Sequence, residues 1–327
     1  MIKTTFLKII LSVIMRSSIL VGGQAVINGV MMRVPGAYST SVRLKDGTIK
    51  SKSVPFESIN DRKGYKKIPI LRGAVGLFEA MKIGYGTLNW SASMAEETQS
   101  KKTNKIVDSL MNMFAIMFAI SLFILLPIFT TKFIIPTTEA MQFNIIAGLI
   151  RISIFLFYLL LISQLKDVYT LFQYHGAEHK TIFTFENGSE LSYENTQKHK
   201  KEHPRCCTSF LFIVMVVSIF SFSVIDTLAI ISLNLQELPT LGRLLIHIIC
   251  LPLVAGFSYE VLKFLASYME KNSFIKLLCA PGLMLQKITT KEPDKEQLEV
   301  AFESLKSAFG DKYEKVKGSK YKADAIG

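Results

Sequence analysis

The chain has 327 residues, 50% of them hydrophobic, and a mean hydropathy of +0.34. A soluble enzyme of this size must keep its surface wet, so the composition argues against that class and favours a membrane protein. The formal net charge of +12 could indicate nucleic-acid binding. However, a protein that crosses the membrane several times also gathers Lys and Arg on the side where it stays. We therefore expect the lipid bilayer, and not nucleic acid, to be the main partner.

The cysteines and the N-terminal residues give further evidence on the class of protein. Two of the four cysteines, Cys206 and Cys207, are adjacent, which does not resemble the disulfide framework of small secreted domains. We therefore expect reduced thiols. Residues 1–21 are apolar, but Arg16 interrupts the run that a signal peptide would keep free of charge. This segment is interpreted as an interfacial or disordered start.

Residues 22–105 are predicted to form a small cytoplasmic α+β element. Alternating runs at 38–44 and 48–54 flank the turn Asp46-Gly47, which is a good hairpin signal. The run at 71–90 is typical of an amphipathic helix. Its glycines would allow close packing against a neighbour or the membrane surface.

The predicted fold class is a mainly α membrane protein with about four transmembrane helices in residues 106–272. Each of four apolar stretches is near the length that crosses the hydrocarbon core: 110–129, 145–165, 209–231 and 241–262. The stretch at 274–286 is too short to span and contains Pro281, so it should lie at the interface or re-enter partway. It belongs to an interfacial segment and charged tail, 273–327, with a helical run at 297–309.

Basic residues predict the orientation of the chain, because Lys and Arg are retained in the cytoplasm. The loops near 131–143 and 234–240 contain only Lys132 between them, whereas the loop at 166–208 contains Lys180, Lys198, Lys200, Lys201 and Arg205. Both termini and the long middle loop are therefore predicted to be cytoplasmic, in a bacterial cell membrane.

The middle loop holds the best candidates for chemistry. Four of the five histidines lie in it, at His175, His179, His199 and His203. On a helix, His175 and His179 share a face and could reach one metal ion. Glu178 could be a further ligand or, if the metal holds a water, the general base. The pattern H-x-x-E-H is also that of inverted zinc proteases, but Gly176 loosens the helix, so geometry must decide.

A second cluster offers the remaining ligands. His203 and Cys206, just before the third apolar stretch, add one imidazole and one thiolate. With His175 and His179 they could form a tetrahedral site for a divalent metal, with zinc the first candidate. Four protein ligands would make that metal structural, whereas three ligands with Glu178 outside the set would favour catalysis.

Two other interpretations of these residues stay open. The histidines and the thiol could merely satisfy the polar ends of membrane helices by hydrogen-bonding one another. Alternatively, Cys206 could be a nucleophile activated by a nearby histidine, with Arg205 lowering the pKa of the thiol.

Ionisable residues also occur inside the predicted membrane helices. Arg151, Asp226 and His247 are placed at similar depths, roughly 10 Å below the outer surface. Charged groups in hydrocarbon tend to pair, so we predict that Arg151 contacts Asp226, with His247 close by. This set could be a structural ion pair or part of a polar path for an ion or substrate. On the inner side, Glu260 could be a further metal ligand or an interfacial carboxylate.

Several segments together resemble the YqhQ-like family of bacterial membrane proteins. They are GGQAV at 22–26, GVMMR at 29–33, HGAEHK at 175–180 and HPRC at 203–206, with shorter matches continuing to 289–293. The resemblance covers nearly all the chain after Gly22. Members of this family are commonly described as metal-dependent enzymes, without an assigned reaction or substrate.

This resemblance has two implications for the site. It implies that Gln24 and Arg33 belong to the same functional surface as the histidines. The family usually has Glu where this chain has Asn28, and Gly where it has Cys207. If that Glu is catalytic, its loss puts activity in question.

The leading hypothesis is a metal-dependent integral membrane enzyme, hydrolytic if the metal holds a water, with its site at the cytoplasmic face. The alternative is a noncatalytic membrane factor that binds a protein partner through its basic face, with any metal structural. A transporter that uses the intramembrane polar set ranks last, because the sequence shows no inverted repeat.

Overall fold

The computed structural model describes residues 21–97, 105–134, 140–203, 206–268 and 272–321. The predicted interfacial or disordered start lies almost entirely outside these residues. Arg205 and the side chain of Cys207 also lie outside the described part, so the predictions that involve them stay predictions.

An antiparallel sheet of four strands opens the described chain. Its strands follow chain order: β1 (Gly22–Val26), β2 (Gly29–Val34), β3 (Ala37–Arg43) and β4 (Ile49–Pro55). The predicted hairpin is confirmed as β3 and β4, and Asp46 stabilises its turn by accepting from the Thr48 backbone N–H at 2.9 Å. Strands β1 and β2, which were not predicted, are joined by a tight turn in which Asn28 has a φ of 52°. Asparagine tolerates this left-handed conformation better than most residues.

Helices cover both faces of the sheet, because successive strand residues point to opposite sides. One face, with Val30 and Met32, packs against two helices that we call the histidine helix (Lys166–Glu186) and the C-terminal helix (Lys295–Phe309). The other face packs against the amphipathic helix (Leu71–Glu97). The helical runs predicted at 71–90 and 297–309 are thus confirmed. The hydrophobic core joins segments that are far apart in sequence.

Four helices in the described part are long and apolar enough to cross a membrane, as predicted. The first membrane helix runs from Lys105 to Ile134, with a π-helical turn at Ser121–Leu125. The others are the second (Ala140–Ile162), third (Cys207–Ser232) and fourth (Thr240–Tyr268) membrane helices. Two spans lie between the sheet and the histidine helix, and two more lie between the histidine helix and the C-terminal helix. Each pair of spans returns the chain to the side from which it started, so these three elements share one side of the bundle.

The region predicted as a histidine-rich loop is largely helical. The histidine helix is followed by a short helix, Tyr193–Gln197. Gly176 does not interrupt the histidine helix: a Cβ there would overlap the carbonyl oxygen of Lys291, so glycine allows the segment before the C-terminal helix to approach closely. The Lys291 backbone N–H donates to the Phe172 carbonyl at 2.9 Å.

The short apolar stretch forms the interfacial helix (Ser273–Thr289), which contains Pro281 and is not among the candidate spans of the described chain. One face packs against the start of the third membrane helix, where Gln286 Nε2 donates to Ser209 Oγ at 2.8 Å. The opposite face leaves Phe274 and Leu277 exposed. This arrangement agrees with the prediction that the segment does not span.

Candidate metal centre

The histidine helix and the N-terminal end of the third membrane helix bring three potential ligand atoms together. Among the described residues, one ring nitrogen of His175, one of His179 and Sγ of Cys206 all lie within 4.8 Å of one another. His175 Nε2 is 3.2 Å from the Cys206 sulfur, and the centroids of the two imidazole rings are 4.4 Å apart. The histidines share a face because a spacing of four residues is close to one helical turn.

Backbone carbonyls orient both imidazole rings. His175 Nδ1 donates to the carbonyl of Thr289 at 2.8 Å, and His179 Nδ1 donates to the carbonyl of Lys201. A carbonyl oxygen only accepts, so each ring carries its proton on Nδ1 and keeps the Nε2 lone pair available. Histidines that bind metals are usually anchored through their other nitrogen in this way. The protein backbone therefore fixes the orientation of both rings.

Burial sets the protonation state of the cluster. Burial, reinforced by the negative charge of Glu178, raises the pKa of the Cys206 thiol to about 12. Burial also holds the pKa of His179 well below its ordinary value, helped by His175 and His203. The thiol is thus protonated and donates to His175 Nε2. Two nitrogens and one sulfur form a donor set suited to zinc, which would displace the thiol proton.

Glu178 lies beside the three donors without belonging to the mutually close group. The side chain is buried, and its Oε2 is 3.4 Å from His179 Nε2. Strand β1 makes room for it at Gly23, because a Cβ there would lie 2.6 Å from Glu178 Cγ. A metal held by the three donors would therefore have a buried carboxylate beside it.

His203, the fourth predicted ligand, lies next to His179 but outside the group of three donors. Its ring centroid is 5.5 Å from that of His179 and 4.4 Å from that of Phe183. Gln286 holds the backbone of His203: its Oε1 accepts from the N–H at 2.7 Å, and its Nε2 donates to the carbonyl at 2.9 Å. The structure therefore brings together three of the four predicted ligands and leaves the imidazole of His203 packed against Phe183.

The sequence analysis missed two residues that position the cluster. Gln286 is fully buried and fixes the backbone at His203, and Thr289 supplies the carbonyl that orients His175. Both lie on the interfacial helix, and Thr290 is its C-cap residue. Polar residues at 286, 289 and 290, at helical spacing in an otherwise apolar segment, were the available signal.

Two residues implied by the family resemblance lie on the other face of the sheet. Gln24 Nε2 donates to the Gly84 carbonyl at 3.5 Å, and the Arg33 guanidinium lies 4.5 Å from the centroid of the Phe56 ring. Because strand residues alternate, Gly23 contacts Glu178 while Gln24 faces the amphipathic helix. The geometry therefore gives Gln24 and Arg33 no contact with the three donors.

Asn28, which departs from the family pattern, is also remote from the cluster. It lies in the turn after β1, five positions beyond Gly23, which corresponds to about 16 Å along an extended strand. The left-handed backbone explains an asparagine here in conformational terms. Asn28 is not among the three donors.

Glu260 pairs with the start of the amphipathic helix. Its Oε1 accepts from Arg72 Nε at 2.7 Å and from the Ile70 backbone N–H at 3.3 Å, and its Oε2 pairs with Arg72 Nη2. This carboxylate on the fourth membrane helix therefore anchors the start of the amphipathic helix. Of the two possibilities left by the sequence, the interfacial carboxylate describes it better than a metal ligand.

The predicted contact between Arg151 and Asp226 is wrong. Arg151 Nε instead donates at 2.9 Å to the carbonyl of Phe123, in the π-helical turn of the first membrane helix. The second membrane helix begins at Ala140, earlier than predicted, so Arg151 lies about 16 Å along it. Asp226 lies only about 9 Å from the same end of the bundle. This difference in depth separates the two charges.

Asp226 is completely buried and pairs with other residues near the end of the bundle remote from the sheet. His247 Nε2 is 2.9 Å from Oδ1, which confirms the predicted proximity. Arg243 Nε lies 3.2 Å from Oδ2, and Asn144 Nδ2 donates to the same oxygen at 2.8 Å. The cluster thus joins the second, third and fourth membrane helices.

These features define a multispanning membrane protein with a largely buried His-His-Cys cluster where the third membrane helix meets the histidine helix. The chain belongs to a family described as protein of unknown function, DUF1385, whose model matches residues 68–311. It is 32% identical over 298 residues to "Uncharacterized protein YqhQ" of Bacillus subtilis (strain 168), covering 87% of this chain and 90% of that protein. No solved structure matches the chain. The resemblance to the YqhQ-like family is thereby confirmed.

Proposed function

We propose that this protein is a divalent-metal-dependent membrane enzyme of the hydrolytic class. The observation that carries the proposal is the convergence of His175, His179 and Cys206 within 4.8 Å, with the Glu178 carboxylate beside them. Zinc is the proposed metal, because two imidazoles and one thiolate suit its ligand preferences. A bound zinc ion would supply a Lewis acid at this position.

The protein residues would then have distinct tasks. Nε2 of His175, Nε2 of His179 and Sγ of Cys206 would hold the metal, leaving one coordination position for a reactant. Glu178 Oε2 would accept a proton from a water molecule in that position and return it to the leaving group. Burial of Glu178 and Cys206 would limit access of bulk water to this exchange.

The position of the cluster favours a substrate near the lipid headgroups. Cys206 is the N-cap residue of the third membrane helix, two residues before the apolar span begins at Thr208. Thr289, whose carbonyl orients His175, ends the interfacial helix. The third membrane helix and the interfacial helix, which would both meet the bilayer, thus supply or orient metal-donor atoms.

The metal proposal is tested by the metal content of protein purified in detergent, with cobalt loading as a second measurement. We expect about one zinc ion per chain, and a thiolate-to-cobalt charge-transfer band in the cobalt-loaded protein. The variants His175→Ala and Cys206→Ser should lower zinc content at least about tenfold, and Cys206→Ser should remove the band.

His199→Ala is the matched control, since His199 stacks on Phe183 outside the group of three donors. It should keep both the zinc and the cobalt band. Equal and negligible zinc in the parent protein, the ligand variants and the control would refute a metal-dependent enzyme. Retention of the metal in Cys206→Ser would assign the ligands differently.

We also propose that the side of the membrane carrying the sheet and the histidine helix is cytoplasmic. The support is the excess of basic residues on that side, including Lys198, Lys200 and Lys201, over the opposite loops. Green fluorescent protein fused after residue 327 should fluoresce, and alkaline phosphatase fused there should be inactive. The reverse pair of results would invert the proposed orientation.

A further inference from the structure

The amphipathic helix presents its apolar side chains outward. Phe78, Met81 and Tyr85 are 64%, 65% and 62% exposed, and Leu88 is also exposed. Their spacing of three, four and three residues places them on one face of the helix, which we call the apolar stripe. A surface helix in water normally turns such residues toward the protein core.

The opposite face of the same helix is buried and carries polar residues with partners in the protein. Glu79 accepts from Ser58 Oγ at 2.8 Å and from the Ile59 backbone N–H. Ser91 Oγ accepts from the Ile27 backbone N–H at 3.2 Å. These contacts, with the core residue Ile83 on the same face, hold the buried face against the sheet and the segment after it. The packing of the opposite face therefore fixes the outward direction of the apolar stripe.

The start of this helix is attached to the fourth membrane helix within its apolar span. Arg72 pairs with Glu260, and a Cβ at Gly73 would lie 2.7 Å from Tyr259 Cβ. Tyr259 precedes the end of the span, Leu265, by six residues, which corresponds to about 9 Å. The helix that carries the apolar stripe therefore starts in contact with a membrane-spanning segment.

We propose that the apolar stripe contacts the bilayer, with Phe78, Met81, Tyr85 and Leu88 inserted at the boundary between phospholipid headgroups and acyl chains. Burial of apolar area at this boundary stabilises amphipathic helices on membranes. Through its contacts with the sheet, the helix then holds Gly23, and the neighbouring Glu178, at a constant distance from the membrane surface. This inference does not depend on a metal.

The single tryptophan of the chain, Trp90, makes the inference testable by fluorescence. Tyr85→Trp in a Trp90→Phe background places the fluorophore on the apolar stripe. Tyr193→Trp in the same background is the control, because Tyr193 is exposed on the short helix after the histidine helix. Both proteins are reconstituted into phosphatidylcholine vesicles with or without brominated acyl chains, and iodide serves as the aqueous quencher.

Tryptophan at position 85 should be quenched by brominated lipid at least about twofold more than tryptophan at 193, and less by iodide. Equal iodide quenching at both positions would show that the stripe faces water and would overturn the proposal. Protection of position 85 from both quenchers would show that protein covers the stripe, which also overturns it.

A second measurement keeps Trp90 in place, in case the background substitution impairs folding. Benzoylphenylalanine is incorporated at position 81, or at 193 as the control, and is photoactivated in membranes. Mass spectrometry of position 81 should find phospholipid adducts that are absent at 193. Adducts at 81 with another protein or a second copy of the chain, in place of lipid, would overturn the proposal.

Discussion

Replacing Asp226 with asparagine should lower the free energy of unfolding by about 3–5 kcal/mol, because removing one partner of a buried ion pair leaves the other charge uncompensated. Asp226 is fully buried, and its cationic partner Arg243 is only 4% exposed. Arg243 lies against the Phe143 ring, 3.7 Å from its centroid. Among the described residues, neither Nε nor Nη1 of Arg243 has a hydrogen-bond partner, so the guanidinium depends on the nearby negative charge of Asp226, 3.2 Å from Nε.

The stability measurement is denaturant unfolding in detergent micelles. Asp226→Asn combined with Arg243→Met should be more stable than Asp226→Asn alone, because the second substitution removes the unpaired charge. Asp311→Asn, at an exposed position, is the control and should unfold like the parent. If the effects of Asp226→Asn and Arg243→Met simply added, the two residues would not form an energetically coupled pair.

Replacing Glu178 with glutamine should leave zinc in place and lower hydrolytic turnover by about 10²–10⁴-fold, because the amide cannot accept the proton. The carboxylate borders His179 Nε2 at 3.4 Å but is not among the three mutually close donors. Glutamine is nearly isosteric, so the contact with Gly23 should persist. The variant therefore distinguishes two possible roles of Glu178, general base and metal ligand.

Turnover of p-nitrophenyl acetate by the zinc-loaded protein supplies the measurement, with zinc content determined on the same samples. Glu194→Gln, on an exposed part of the short helix, is the matched control and should keep full activity. Unchanged turnover in Glu178→Gln would remove the proposed base. Loss of zinc from that variant would instead identify Glu178 as a ligand.

Local patterns were sufficient for the elements whose signals lie within one segment. The hairpin followed from Asp46-Gly47 between alternating runs, and the four membrane helices followed from apolar length. The shared face of His175 and His179 also follows from helical spacing alone, which is why the proximity of these two rings was predicted correctly.

Contacts between distant segments were less predictable. Asp226 pairs with Arg243 and not with Arg151 because the second membrane helix begins five residues earlier than predicted. This difference shifts the depth of Arg151 in the membrane by about 7 Å. Glu260 was equally ambiguous until its pairing with Arg72 was visible. Similarly, strand β1 was not predicted, so the sequence analysis did not place Gly23 and Gln24 on opposite faces of a sheet.

Composition and periodicity were therefore enough to establish a membrane bundle and to propose a metal near its basic side. Only the folded chain placed Cys206 against His175. It also placed the carbonyls of Thr289 and Lys201 against the two imidazole rings. The ring of His203 packs instead against Phe183. The physical reason is that a helix repeats every few residues and can be inferred locally. A donor cluster instead depends on distances between side chains from separate elements, which packing alone sets.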